Sequence, residues 1–187
     1  MPFKFSLKKL CLIACFFIVP LITVSLALQS DLLKYNFTYL STQSDTRLLY
    51  MVWAITTISF TALSVYEIKK KYRLFKPTLN QCIYLFLILI ISSFIPYSST
   101  DNLISFIHVA FAYIALIYFN YILFTIYNFM KLNNIKISIY AGYLYVLQFS
   151  LCFVLSMMFG SISSLVEVIY TISTSFIIGL LLIKNGI

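Results

Sequence analysis

The chain has one histidine, His108, in the run IPYSSTDNLISFIHVAFAYIAL from Ile95 to Leu116. Imidazole can carry a proton near neutral pH, act as a general base or bind a metal. A single histidine excludes a multi-histidine metal centre. Asp101, Ser105, His108, Ala112 and Ala115 recur at three- and four-residue steps, so on a helix they form one stripe, polar at one end and small further in. Ser163, Glu167, Tyr170, Thr171 and Thr174 form a second such stripe. A His–Glu pair can hold a proton or a charged head group; as a catalytic pair, His108 would be the base and Glu167 its orienter. Asp45 and Arg47 head a third polar side that continues through Thr57, Thr61 and Ser64, and Gln148 adds an amide in a later apolar run. If these faces converge, Arg47, Asp101, His108 and Glu167 line the mouth of a polar pocket, with Gln148 deeper. The same residues also suit plain interhelical hydrogen bonds, which average about 0.6 kcal/mol.

The elements that position these residues follow from composition. Of 187 residues, 62% are hydrophobic and 10% charged, and the mean hydropathy is +1.00. Soluble domains carry about 25% charged residues, so this chain has too much apolar surface for a water-facing fold. A spanning helix needs about 20 mostly apolar residues. Six stretches qualify, near 9–29, 47–67, 79–97, 103–128, 137–158 and 163–184. The expected fold is all-α: a single domain over 1–187, a polytopic bundle of six transmembrane helices.

The net charge of +8 is a topology signal, not a sign of nucleic-acid binding. Lys4, Lys8, Lys9, Lys69, Lys70, Lys71, Arg73, Lys76, Lys131, Lys136 and Lys184 fall on one side of the six spans, and only Lys34 and Arg47 on the other. The positive-inside rule then places both termini in the cytoplasm. Asp31, Asp45, Asp101 and Glu167 fall on the outer side, Glu67 on the inner. The first apolar run, Leu10 to Leu28, is longer than the ~7–15 residues of a signal-peptide core, so a retained helix is expected. Pro20 should kink it, having no backbone donor. Tyr50, Trp53 and Tyr97 fall where interfacial aromatic anchors belong.

Cys11, Cys15, Cys82 and Cys152 all lie in apolar runs and read as small packing residues, with neither metal nor disulfide expected. There is no H-E-x-x-H, no G-x-S-x-G and no phosphate-cradling glycine loop; the first glycine is Gly142. No cofactor is expected. Asn36-Phe37-Thr38 fits the glycosylation sequon, but the Ile-, Lys- and Asn-rich composition points to a bacterial cytoplasmic membrane.

A third helix ending at Pro96, the polar loop YSSTDN, and His108 in FIHVAFAYIAL resemble the six-helix bacterial family called domain of unknown function 998. The segment SSLVEVIY, with Glu167, is similar to the related DRAM-like membrane proteins. The resemblance implies a six-helix bundle with no agreed activity.

Three functions fit the residues. One is a non-enzymatic membrane protein that binds a lipid, another amphiphile or a membrane partner, itself included, through the outward polar pocket. Another is a small transporter or channel subunit, which would have to oligomerise. The last is an intramembrane hydrolase or transferase built on His108 and Glu167, for which the sequence offers no activated nucleophile.

Overall fold

The computed structural model describes residues 6–72, 79–95, 101–133, 135, 137–159 and 162–183. Lys4, Arg73, Lys76, Pro96, Tyr97, Lys136 and Lys184 lie outside the described residues, as do the side chains of Lys71 and Cys82. All regular structure among the described residues is helical. Helix α1 (Leu7–Ile13), a π turn (Ala14–Ile18) and helix α2 (Val19–Ala27) run on as one stretch. A short α3 (Phe37–Thr42) follows, then α4 (Ser44–Tyr72), α5 (Leu79–Phe94), α6 (Asn102–Leu132), α7 (Ile137–Phe159) and α8 (Ser164–Leu182).

Five stretches are long and apolar enough to cross a bilayer: Leu7–Ala27, Ser44–Lys70, Asn102–Leu132, Ile139–Phe159 and Ser164–Leu182. The expected six-span count is therefore not reached among the described residues. Helix α5 has 16 residues and rises about 24 Å, short of a ~30 Å hydrocarbon core. The coarser expectation holds: the protein is an all-α, multi-span bundle of membrane type. Phe17, Leu21, Ile117 and Tyr143 are among many large apolar residues left exposed along these helices, as expected where lipid is the solvent.

Helix α8 is the hub. It packs against α1, the π turn, α2, α4 and α7, while α5 packs against both α4 and α6. Two apolar clusters hold the bundle. Towards the basic end, Cys11, Cys15, Ile68, Leu123, Met130, Ile178 and Leu181 come together from α1, the π turn, α4, α6 and α8. Towards the opposite end, Leu26, Ala27, Phe37, Leu40 and Tyr50 do so from α2, α3 and α4. Hydrophobic burial does not drive helix pairing in lipid, so close packing must supply the cohesion. Gly179 shows how: a Cβ there would stand 2.6 Å from Cζ of Phe16. Glycine thus lets the Phe16 ring lie on α8, edge to face with Phe176 at 5.3 Å.

Pro20 sits where the backbone hydrogen-bond register of the first span changes. It lies in the first turn of α2, directly after the π turn, where the Val19 amide donates to Ala14 O, five residues back. In that register a residue-20 amide would have met Cys15 O, and proline has none to give. The Ser175 hydroxyl of α8 donates to Cys15 O instead, at 2.7 Å. Cys15 Sγ also lies 3.5 Å from Ser64 Oγ. Cys11, Cys15 and Cys152 are free thiols.

Candidate functional site

The centre of the site is a helix the sequence pattern did not announce. Asn36 caps α3 in extended conformation, and its Oδ1 accepts from the Tyr39 amide at 2.8 Å. Phe37 and Leu40 bury fully beneath the helix. The Phe37 ring meets Trp53 edge to face at 4.8 Å, and Trp53 Nε1 donates to Thr23 Oγ1 at 3.0 Å. Tyr50 and Trp53, expected as interfacial anchors, therefore turn inward, because α3 covers them and Trp53 finds its hydrogen bond inside the bundle.

Glu167 and α3 cap each other's helices. The first amides of any α-helix lack partners within it. At α8, Ser164 N donates to Tyr35 O at 2.6 Å and Leu165 N to Leu32 O at 3.0 Å. At α3, Phe37 N donates to the Glu167 carboxylate at 2.5 Å. Carbonyls of the 31–36 segment thus cap α8, and a side chain of α8 caps α3. A carboxylate also suits the positive end of a helix.

His108 serves the same end of the bundle. Its Nδ1 lies 2.7 Å from Ile95 O. A carbonyl only accepts, so Nδ1 carries the proton and, in the neutral ring, Nε2 is an acceptor. Nε2 faces the Thr38 hydroxyl at 3.5 Å, at the outer limit of hydrogen-bond distance. Ile95 directly follows α5, so its carbonyl is among the acceptors that a helix C-terminus leaves open. An imidazole on α6 thereby closes the end of α5.

The five residues singled out in the sequence have separate placements. His108 and Glu167 come together on consecutive residues of α3, Thr38 and Phe37. Asp101 is the exposed cap of α6, its Oδ1 accepting from Leu103 N at 2.9 Å and Ile104 N at 3.1 Å. Arg47 is exposed in the first turn of α4. Gln148 is buried on α7, and its Nε2 donates to Thr174 Oγ1 at 2.7 Å and Tyr170 O at 3.3 Å. Ala112, expected to face inward with His108, is exposed.

Two residues that sequence reasoning missed join Gln148 and Tyr170 in a polar cluster within the spans. Asn120 of α6 donates from Nδ2 to Tyr170 Oη at 3.0 Å and to Leu116 O at 2.8 Å. Tyr145 of α7 donates to Asn120 Oδ1 at 3.0 Å. The signal was an amide inside an apolar run, IYFNYILF. Gln148 Oε1 is buried without a hydrogen-bond partner among the described residues. No group of three or more His, Cys, Asp or Glu side chains is placed to hold a metal among the described residues.

No protein-family model matches the chain, and neither the curated proteins nor the solved structures show a significant match to it.

Proposed function

We propose that the chain is a non-catalytic protein of a bacterial cytoplasmic membrane that works by holding an amphiphile or a membrane partner within the bilayer plane. In this reading Leu79–Phe94 belongs to a sixth span and both termini are cytoplasmic. The resemblance to domain of unknown function 998 enters for its architecture alone. One observation carries the proposal: His108 and Glu167, the pair expected to offer acid–base chemistry, each engage a backbone group. His108 donates to Ile95 O and Glu167 accepts from Phe37 N. A catalytic pair would instead need the Glu167 carboxylate on the imidazole, where the Ile95 carbonyl holds Nδ1.

The test is to release the protein from membranes in mild detergent and identify by native mass spectrometry what travels with it. A bound amphiphile or a second polypeptide is expected, and it should persist in His108→Gln, which keeps an N–H donor. A bare monomer from every detergent tried would defeat the proposal.

A second reading, a subunit of an oligomeric transporter or channel, is favoured by α7. Only 6% of its spanning stretch is buried, against 28% to 44% in the other four. Its exposed face carries Tyr143, Phe149, Phe153 and Met157. Cysteines at Phe149 and Phe153 should crosslink between chains in membranes if α7 meets another copy, and should stay uncrosslinked if only lipid covers it.

A further inference from the structure

We infer that the α4/α5 face seats one phospholipid, with its phosphate on Arg47 and an acyl chain in the groove below. This rests on the amphiphile reading above and names the amphiphile. Between the two helices runs a shallow apolar furrow, open along one side, lined by Met51, Ala54, Ile55 and Ile58 of α4 and by Ile90, Ser93 and Phe94 of α5. The one hydroxyl in that lining already donates within its own helix, Ser93 Oγ to Leu89 O at 2.9 Å. The groove thus presents hydrocarbon to whatever enters it.

A lipid-facing furrow is ordinary; the charge above this one is not. Arg47, Met51, Ala54, Ile55 and Ile58 follow three- and four-residue spacing and so share one face of α4. Arg47 stands one helical turn, about 6 Å, above Met51, and the groove runs about 10 Å further down to Ile58. That is the order of a phosphate and the chain beneath it. Only Arg47 and Lys34 are basic on this side of the spans, and the Lys34 ammonium lies over the Tyr35 ring at 5.2 Å. Arg47 is exposed and makes no ion pair among the described residues. Asp45 is two positions away, about 200° around the helix, and accepts from Ser44 Oγ at 2.7 Å. A guanidinium matches phosphate oxygens in paired hydrogen bonds.

The experiment measures lipid retention by native mass spectrometry on the full chain in a mild non-ionic detergent. Three probes are offered: phosphatidylglycerol, diacylglycerol with the same chains, and glycerol phosphate without chains. Wild type should retain phosphatidylglycerol and neither of the others. Arg47→Gln should weaken retention about five- to tenfold, the scale of one basic contact to an anionic lipid. Ile55→Trp, which fills the groove from its exposed rim, should do the same. Both positions are exposed, so both variants should melt with wild type. Unchanged retention in either folded variant, or diacylglycerol held as well as phosphatidylglycerol, overturns the proposal. If wild type carries a different amphiphile or a protein but not phosphatidylglycerol, this inference fails and the broader reading stands. If wild type carries nothing, both fail.

Discussion

At the scale of single residues, the rarest side chains finish helix ends. Ile95 O and Phe37 N are backbone groups left open by helix termini, and burying such a group unpaired costs about 1–3 kcal/mol. His108 supplies the donor for one and Glu167 the acceptor for the other. His108→Ala and Glu167→Ala should each lower stability by about that amount, read as a fall in melting temperature in detergent. His108→Gln keeps an N–H donor and Glu167→Gln keeps a carbonyl acceptor, so both should lose much less. Glutamine variants as damaged as the alanine variants would mean that charge or titration matters at these positions, and the capping account would fail. Asp101 needs no ligand to explain it, since its carboxylate already bonds two amides of the first turn of α6.

At the scale of elements, the first spanning stretch and α8 are joined by a repair. Proline cannot donate to Cys15 O, and Ser175 does so from the neighbouring helix. Ser175→Ala should therefore cost about 1–3 kcal/mol, because it leaves a carbonyl buried and unpaired. In a Pro20→Ala background the residue-20 amide exists again, and the same Ser175→Ala change should cost clearly less. A double-mutant cycle on melting temperature measures this coupling. Additive losses would show that Ser175 does not stand in for the missing amide. Helix α3 illustrates the same dependence between elements. Its six residues are too few to persist alone, and it exists because Phe37 and Leu40 bury and α8 caps its start.

At the scale of the whole molecule, charge sets orientation and packing sets what is left uncovered. The basic asymmetry predicts that Ser44→Cys reacts with an impermeant thiol reagent added outside intact cells, while Asn134→Cys reacts only once the inner face is opened. Labelling of Asn134→Cys from outside would overturn the proposed topology. The sparse burial of α7 beside a well-packed α8 makes α7 the side where a further chain would add most contact. The α4/α5 groove lies elsewhere, so lipid binding and self-association can be tested by separate variants.

The sequence by itself determined the membrane character, the helical class and the rough position of five of the six expected spans, because these depend on runs of apolar residues longer than a bilayer is thick. It also marked His108, Glu167 and Gln148 as residues that must find partners, since a polar group in hydrocarbon is costly whatever the fold. Which partners they find was settled only by tertiary structure. Nothing in the local pattern around Glu167 points to Phe37 N, 130 residues away, and nothing around Ser175 points to Cys15 O. Helix α3 was unreadable because its stability comes from contacts made by other elements. The stripe through Ala112 misled because spacing along a helix fixes which residues share a face but not which way that face turns. Periodicity is local and legible; the rotation and docking of each helix depend on every neighbour at once, and only the folded bundle decides them.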